Sequence, residues 1–292
     1  MKAAAFAYAR ATSVVNALEL LQAHGDRAKV LSGGQSLMPA MNLRLISPEL
    51  IVDIGDLAEL RGIAVTGKVV RIGALTRHVD LLRSPDIAAH APLLTEAIAH
   101  VAHPAIRNRG TLGGSLAHAD PASELPACMV ALNATIVVSG QDGERRIAAG
   151  DFFKGIYETD LSARELLISV ELPVAGKSVH FFHEFARRHG DYAIAGLAAQ
   201  AIVEQDVFTD LRLVFFAVGD RPVSAKAATR LLKAAITPAV LAAASTALGE
   251  ELDPQDDQQA SASMRRHLAK VLLTRCASAL LGRPDLTAGG RP

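Results

Sequence analysis

Two glycine-rich segments carry the residue types best suited to chemistry. SGGQS, residues 32–36, follows the short apolar run Val30-Leu31. IRNRGTLGGSLAHADPASELP, residues 106–126, places Gly110, Gly113 and Gly114 within five positions. Arg107, Asn108, Arg109, Thr111 and Ser115 surround those glycines, and His118, Asp120, Ser123 and Glu124 follow. Glycine lets a backbone go where a side chain would block it. Backbone N–H groups and hydroxyls in such segments can converge on one anion. The plain alternative is a strand-to-helix turn for the first segment and a polar loop for the second.

Neither segment is a standard nucleotide loop. SGGQS lacks the G-x-G-x-x-G of a dinucleotide crossover and the Gly-Lys-Ser/Thr of a P-loop. His118 and Asp120 fall short of a metal site, being two ligand types two apart without further partners. Arg107 and Arg109 suit either phosphate contact or holding the loop by hydrogen bonds. Arg187-Arg188-His189 reads as a solvated turn or a partner-facing patch, and the other histidines as surface or packing residues. Cys128 and Cys276 sit in apolar surroundings as small hydrophobes. Two thiols cannot supply the four ligands of an iron–sulfur cluster. No catalytic dyad and no metal site emerge.

The elements that position these segments follow from periodicity and capping. Residues 13–24 read as an amphipathic helix capped by Ser13 and ended by Gly25. KVL is a short strand before the glycine pair. Ser36 is expected to cap a helix through about Arg44, with Pro39 tolerated in its first turn. Residues 50–54 and 68–74 are strand-like, 93–102 helical, and ATIVV with ERRIA forms a hairpin. ELLISVELP is a strand that stops at Pro173. The pattern changes near Ala175-Gly176. Beyond it, VHFFHEF, AIAGLAAQAIVEQ and DLRLVFFAVG read as three antiparallel strands. Helices follow: SAKAATRLLKAAI; a second opening at Thr237-Pro238 and ending at Gly249; and a third with Met264, Leu268, Val271, Leu272 and Leu280 on one face.

With 292 residues the chain suits one large domain or two ordinary ones. Half its residues are hydrophobic but only 4% are aromatic, so the core must be mostly Ala, Leu, Val and Ile. Lys+Arg and Asp+Glu both number 30, which speaks against a nucleic-acid partner. No apolar run reaches the roughly 18 residues of a membrane span. The start is too polar for a secretory signal, so a cytoplasmic location is expected.

Over nearly its whole length the sequence resembles the FAD-binding medium subunit of the molybdenum hydroxylases, of the aerobic carbon monoxide dehydrogenase and xanthine dehydrogenase type. LSGGQSLMPAMNLRL, IRNRGTLGGSLAHADPASELPA, ELLISVELP and FARRHGDYAIAG carry the resemblance, in order and spacing. It implies an α+β fold: a two-subdomain FAD-binding domain of the vanillyl-alcohol-oxidase-like (PCMH) type over residues 1–176, with subdomains of about 1–55 and 56–176. A C-terminal domain over 177–285 would hold the three-stranded antiparallel sheet and helical cluster, and 286–292 a frayed tail.

The same resemblance assigns the FAD pyrophosphate to Leu31, Ser32, Gly33, Gly34, Gln35 and Ser36 together with Thr111, Leu112, Gly113, Gly114 and Ser115, and counts Ala117 among the cofactor contacts. It gives Glu124 the ribityl or ribose hydroxyls. Leu166 or Leu167 would lie beside the flavin ring system, and Tyr192 of the Asp191-Tyr192 pair over one face of it. Some relatives carry lysine where this chain has Glu184, which cannot stabilise a negative reduced flavin. The implied function is electron transfer. A large molybdopterin subunit would oxidise substrate, two [2Fe–2S] clusters on a small subunit would pass electrons to FAD here, and an external acceptor would take them. A dimer of heterotrimers is expected. A self-contained FAD oxidase and a non-catalytic flavin-binding assembly subunit are the alternatives. A large substrate domain would mark the oxidase, and bound FAD that substrate fails to reduce would mark the assembly subunit.

Overall fold

The computed structural model describes residues 2–288. Strands β1 (Ala7–Arg10), β2 (Ala28–Leu31) and β3 (Leu50–Asp53) form a parallel sheet in the order β1-β3-β2. Parallel neighbours need crossovers, and two helices supply them. Helix α1 (Val14–His24) starts where Ser13 accepts from the Asn16 N–H and ends at Gly25, whose φ of 52° is left-handed. Helix α2 (Leu37–Asn42) is shorter than expected. Its N-terminal Ser36 makes no side-chain cap, and Arg44 lies beyond it at φ 58°.

Next come β4 (Ile63–Thr66) and β5 (Val69–Gly73), then the helices α3 (His78–Arg83), α4 (Pro85–His90), α5 (Pro92–His100), α6 (Pro104–Arg107), α7 (Leu112–His118) and α8 (Glu124–Ala131). The expected hairpin is β6 (Thr135–Gly140) and β7 (Gly143–Ala148). After α9 (Ala149–Phe152), β8 (Phe153–Gly155) and β9 (Glu158–Thr159), β10 (Leu166–Pro173) enters the middle of a five-stranded antiparallel sheet ordered β4-β5-β10-β6-β7. Its two faces are both buried. Leu166 and Ile168 pack with Leu21, Leu50 and Val52 of the first sheet's core. Leu167, Val170 and Leu172 pack with Leu94, Ile98, Leu112 and Leu125 from the helical layer. A strand covered on both sides reads as a continuous apolar run, as LLISV does.

Strands β11 (Val179–Ala186), β12 (Ala193–Glu204), β13 (Val207–Phe216) and β14 (Val223–Ser224) form an antiparallel sheet. The expected three strands thus gain a two-residue fourth, paired with Val214 and Phe215. Helices α10 (Lys226–Leu232), α11 (Pro238–Glu251), α12 (Ala262–Leu281) and α13 (Asp285–Ala288) follow. Thr237 caps α11 as expected, but the helix passes through Gly249 to Glu251. The buried face of α12 holds Arg265, Ala269, Leu272, Leu273, Cys276 and Leu280, while Met264 is exposed. Arg265 takes the place expected for an apolar residue because it donates to the carbonyls of Ile194 (2.7 Å) and Ala217 (2.8 Å) and pairs with Asp257 (2.6 Å). Of the expected frayed tail, 286–288 belong to α13 and 289–292 lie outside the described residues. No helix among the described residues is long and apolar enough to cross a membrane.

Alanine-rich β12 is a strand because both its faces are buried at close range. Ala195, Leu197 and Ala199 meet the C-terminal helices, and Ala198 joins the core under α5 and α8. Gly196 sits directly opposite Phe216, whose ring covers the glycine so closely that any Cβ would enter it. Gly196→Ala is expected to cost about 1–3 kcal/mol of stability through overpacking, read as a lowered denaturation midpoint. An unchanged midpoint would contradict this packing.

Candidate functional site

The two glycine segments meet. Ser32 Oγ and Thr111 Oγ1 are 2.6 Å apart, across 79 residues of sequence. A Cβ on Gly33 would strike the Arg109 carbonyl and lie 2.9 Å from Gly110 Cα. The site therefore rests on a backbone-to-backbone contact between a loop of the parallel sheet and a loop of the helical layer.

Their hydrogen-bonding states differ. The Gln35 side chain donates to the Gly33 carbonyl at 2.8 Å, and Gly34 adopts a left-handed φ of 72°. The backbone N–H groups of Ser32, Gly33, Gly34, Gln35 and Ser36 have no hydrogen-bond partner among the described residues. In the second segment the donors of residues 112–115 are committed. Leu112 N–H donates to Thr76 O (3.0 Å), Gly113 N–H to Ala74 O (2.8 Å), Gly114 N–H to Thr111 Oγ1 (3.2 Å) and Ser115 N–H to Thr111 O (3.1 Å). Residues 74–78 act as an edge to which this loop is laced, with a bridge between Arg77 and Thr111 and a bond from His78 N–H to Gly110 O.

The structure also shows what packs against the glycines. Gly33 is required by the Arg109 backbone, and Gly113 by Ala74, whose Cβ would be 2.6 Å from an added Cβ. At Gly114 a Cβ would crowd the capping Thr111 hydroxyl at 2.8 Å. The glycines bring the two loops together. The first loop holds a row of free N–H donors, and the second adds the N–H of Thr111 and the hydroxyls of Thr111 and Ser115.

The other expected positions are dispersed. Ala117 is exposed on α7. Leu166 and Leu167 are buried in β10 within the two cores. Asp191 and Tyr192 lie on the β11–β12 connection, with Tyr192 59% exposed. Tyr192 faces a cleft of about 1100 Å³ that Tyr157, Arg221 and Lys226 also line; the end of the second segment, Asp120 to Ala122, borders it, while the Ser32–Ser36 loop and the glycines do not. Arg107 holds the loop, donating to the carbonyls of Val101 (2.8 Å) and Ala102 (2.9 Å). Asp120 closes a turn by accepting from the Ala122 N–H at 2.9 Å. Arg187 ties its turn to the Gln258 carbonyl at 2.8 Å. No group of three potential metal ligands occurs among the described residues.

Three residues outside the expected set touch this region. His78 lies under the second loop, 3.2 Å from Ser115 Oγ. Tyr157, with a left-handed φ of 56°, stacks on His118 at 4.8 Å and donates its N–H to Ala119 O. His100 Nδ1 lies 3.5 Å from the buried carboxylate of Glu184. Nothing local in the sequence marks them, since each is brought in by a different element.

Glu124 is buried at the start of α8. Burial pushes its carboxyl up to about 8, and the charges of Glu184 and Asp120 push the same way. The ordinary value is 4.5. Between about pH 4.5 and 8 the folded chain keeps a proton that the unfolded chain has lost, so stability falls as pH rises through that window. Above about pH 6.5, where the opposing contribution of buried His78 is complete, the ligand-free chain should melt at lower temperature at pH 8 than at pH 7, and Glu124→Gln should remove most of that slope. An identical slope in the variant would contradict the assignment.

Residues 4–175 match the family described as the FAD binding domain in molybdopterin dehydrogenase, and residues 180–280 match the CO dehydrogenase flavoprotein C-terminal domain. The chain is 38% identical over 286 residues to the 6-hydroxypseudooxynicotine dehydrogenase complex subunit alpha of Paenarthrobacter nicotinovorans, covering 97% of both. It is similar to a solved structure of carbon monoxide dehydrogenase from Hydrogenophaga pseudoflava lacking the Mo-pyranopterin moiety, with TM-score 0.94 and 35% identity over 97% of this chain and 99% of that one. Quinoline 2-oxidoreductase from Pseudomonas putida 86 gives TM-score 0.91 and 37% identity, over 97% and 99%. With both domain families matched in order along most of its length, the chain belongs to the FAD-binding medium subunits of the molybdenum hydroxylases.

Proposed function

We propose that this chain holds FAD with its pyrophosphate on the Ser32–Ser36 loop and serves as the electron-transfer subunit of a molybdenum hydroxylase. The observation that carries the placement is the row of five unpartnered N–H groups pressed against the Thr111 loop. Oriented backbone donors of this kind suit an anionic diphosphate. The residues fit the group: Gly33 and Gly34 hold the loop in shape, Thr111 and Ser115 bring hydroxyls, and Glu124 brings a buried carboxyl that can bond a polyol. When bound, FAD supplies the redox chemistry. The protein's part is to bind, orient and set polarity. The exposed ring of Tyr192 offers a face for stacking.

In this reading residues 1–176 form the flavin domain and 177–285 the C-terminal domain. The partners are a large molybdopterin subunit and a small subunit with two [2Fe–2S] clusters, in a cytoplasmic dimer of heterotrimers. The two buried cysteines agree with clusters held elsewhere. The substrate belongs to the large subunit. The relatives' names span carbon monoxide, quinoline and a nicotine derivative.

The native chain should carry about one flavin per polypeptide in its absorption spectrum. A flavin-free native protein would overturn the proposal. Gly114→Val should weaken FAD retention roughly tenfold or more by displacing the Thr111 cap and the Ser32 contact, with a native circular dichroism spectrum. Unchanged retention would remove the second loop from the site.

A further inference from the structure

His78 opens α3 and is 3% exposed. It lies directly under the second glycine loop, where a Cβ on Gly110 would be 3.0 Å from two atoms of its ring. Its nitrogens have different surroundings. Nε2 is 3.2 Å from Ser115 Oγ, while Nδ1 is buried without a partner. Burial pushes the imidazole down to about 4, assisted by the Arg107 charge and opposed by the Thr111 backbone, so the ring is neutral at physiological pH.

A neutral imidazole carries one N–H. Placed on Nδ1, that proton would be a buried donor with no acceptor. Placed on Nε2, it donates to Ser115 Oγ and leaves only a bare lone pair at Nδ1. Orphaned buried donors are the rarer of the two defects. The tautomer matters for Ser115, whose backbone N–H is already given to Thr111 O at 3.1 Å. Its only remaining donor is the hydroxyl. If the ring donates, the hydroxyl proton is free. If the ring accepts, that proton is consumed.

Ser115 stands one residue beyond Gly114, where an added Cβ would be 3.5 Å from Ser32 Oγ. Its side chain is half-buried, so the hydroxyl remains reachable beside the loop contact. We propose that His78 is a positioning residue of the anion site: protonated on Nε2, it donates to Ser115 Oγ and leaves the Ser115 O–H to donate to a phosphate oxygen of the ligand on the Ser32–Ser36 loop. This rests on the FAD placement above.

The test uses the full chain freed of flavin and titrated with FAD and with ADP, which has the pyrophosphate but no flavin ring. Nitrogen-15 NMR at pH 7 should show His78 protonated on Nε2. His78→Phe and Ser115→Ala should each weaken both ligands about tenfold, and the double variant should lose no more than either single one, because the pair acts as a unit. His78→Gln, which keeps a side-chain N–H, should stay within about threefold of wild type. An Nδ1–H tautomer, additive losses, or wild-type affinity in Ser115→Ala would each overturn the inference. If His78→Phe fails to fold, Ser115→Ala and the tautomer decide it. Wild-type protein that binds neither ligand would overturn the FAD placement itself. Wild-type binding that Ser115→Ala leaves untouched would overturn only the role of His78.

Discussion

The candidate site depends on one close approach, the Gly33 backbone against the Arg109 carbonyl. No side chain fits at that point, and the paired hydroxyls of Ser32 and Thr111 close the seam beside it. The contact joins a loop of the parallel three-stranded sheet to a loop carried by the helical layer of the antiparallel one. The second is held rigidly because the donors of residues 112–115 are spent on residues 74–78 and on its own cap. That rigidity lets the first loop keep its donors free.

Free N–H groups carry a cost only when water is excluded. Here the loop is half-buried, with Ser36 exposed, so solvent can satisfy the donors until an anion replaces it. What fixes the loop is the packing behind it. Strand β10 presents Leu166 and Ile168 to the first sheet's core and Leu167, Val170 and Leu172 to the helical layer. At roughly 1.5–3 kcal/mol for each fully buried large apolar side chain, this strand alone binds the two layers firmly. The low aromatic content has a structural counterpart in β12. Its alanines let helices approach both faces, and the Phe216 ring fills the gap over Gly196.

A second constraint is electrostatic. Buried Glu184 lies near enough to Glu124 to help raise its carboxyl, secondary to burial, with His100 beside Glu184 and the His189 ring edge-on to His100 at 5.5 Å. At position 184 the chain sets a buried carboxyl beside an imidazole. Near Tyr192, Asp120 raises the phenols of both Tyr157 and Tyr192, secondary in each case to their burial. The C-terminal part of the chain thus faces the flavin domain through titratable groups as well as apolar ones.

Much of the fold was legible in the sequence. Ser13 and Gly25 bracket α1, Thr237-Pro238 opens α11, and the β6–β7 hairpin follows its turn residues. These are local signals, set by capping and by φ. The two glycine motifs, with their order and spacing, also identified the family. The sequence could not say why each glycine is there, because Gly33 and Gly113 answer to backbone atoms far along the chain. It could not show that one loop keeps its N–H donors while the other spends most of them, since both motifs have similar composition. It passed over His78 and took Met264 for a core residue in place of Arg265, whose burial depends on carbonyls from β12 and from beyond β13. By itself the sequence determined the elements, the family and the two segments that must meet. Only the tertiary structure decided which donors remain free, because a hydrogen bond is committed by whatever partner the fold brings within reach.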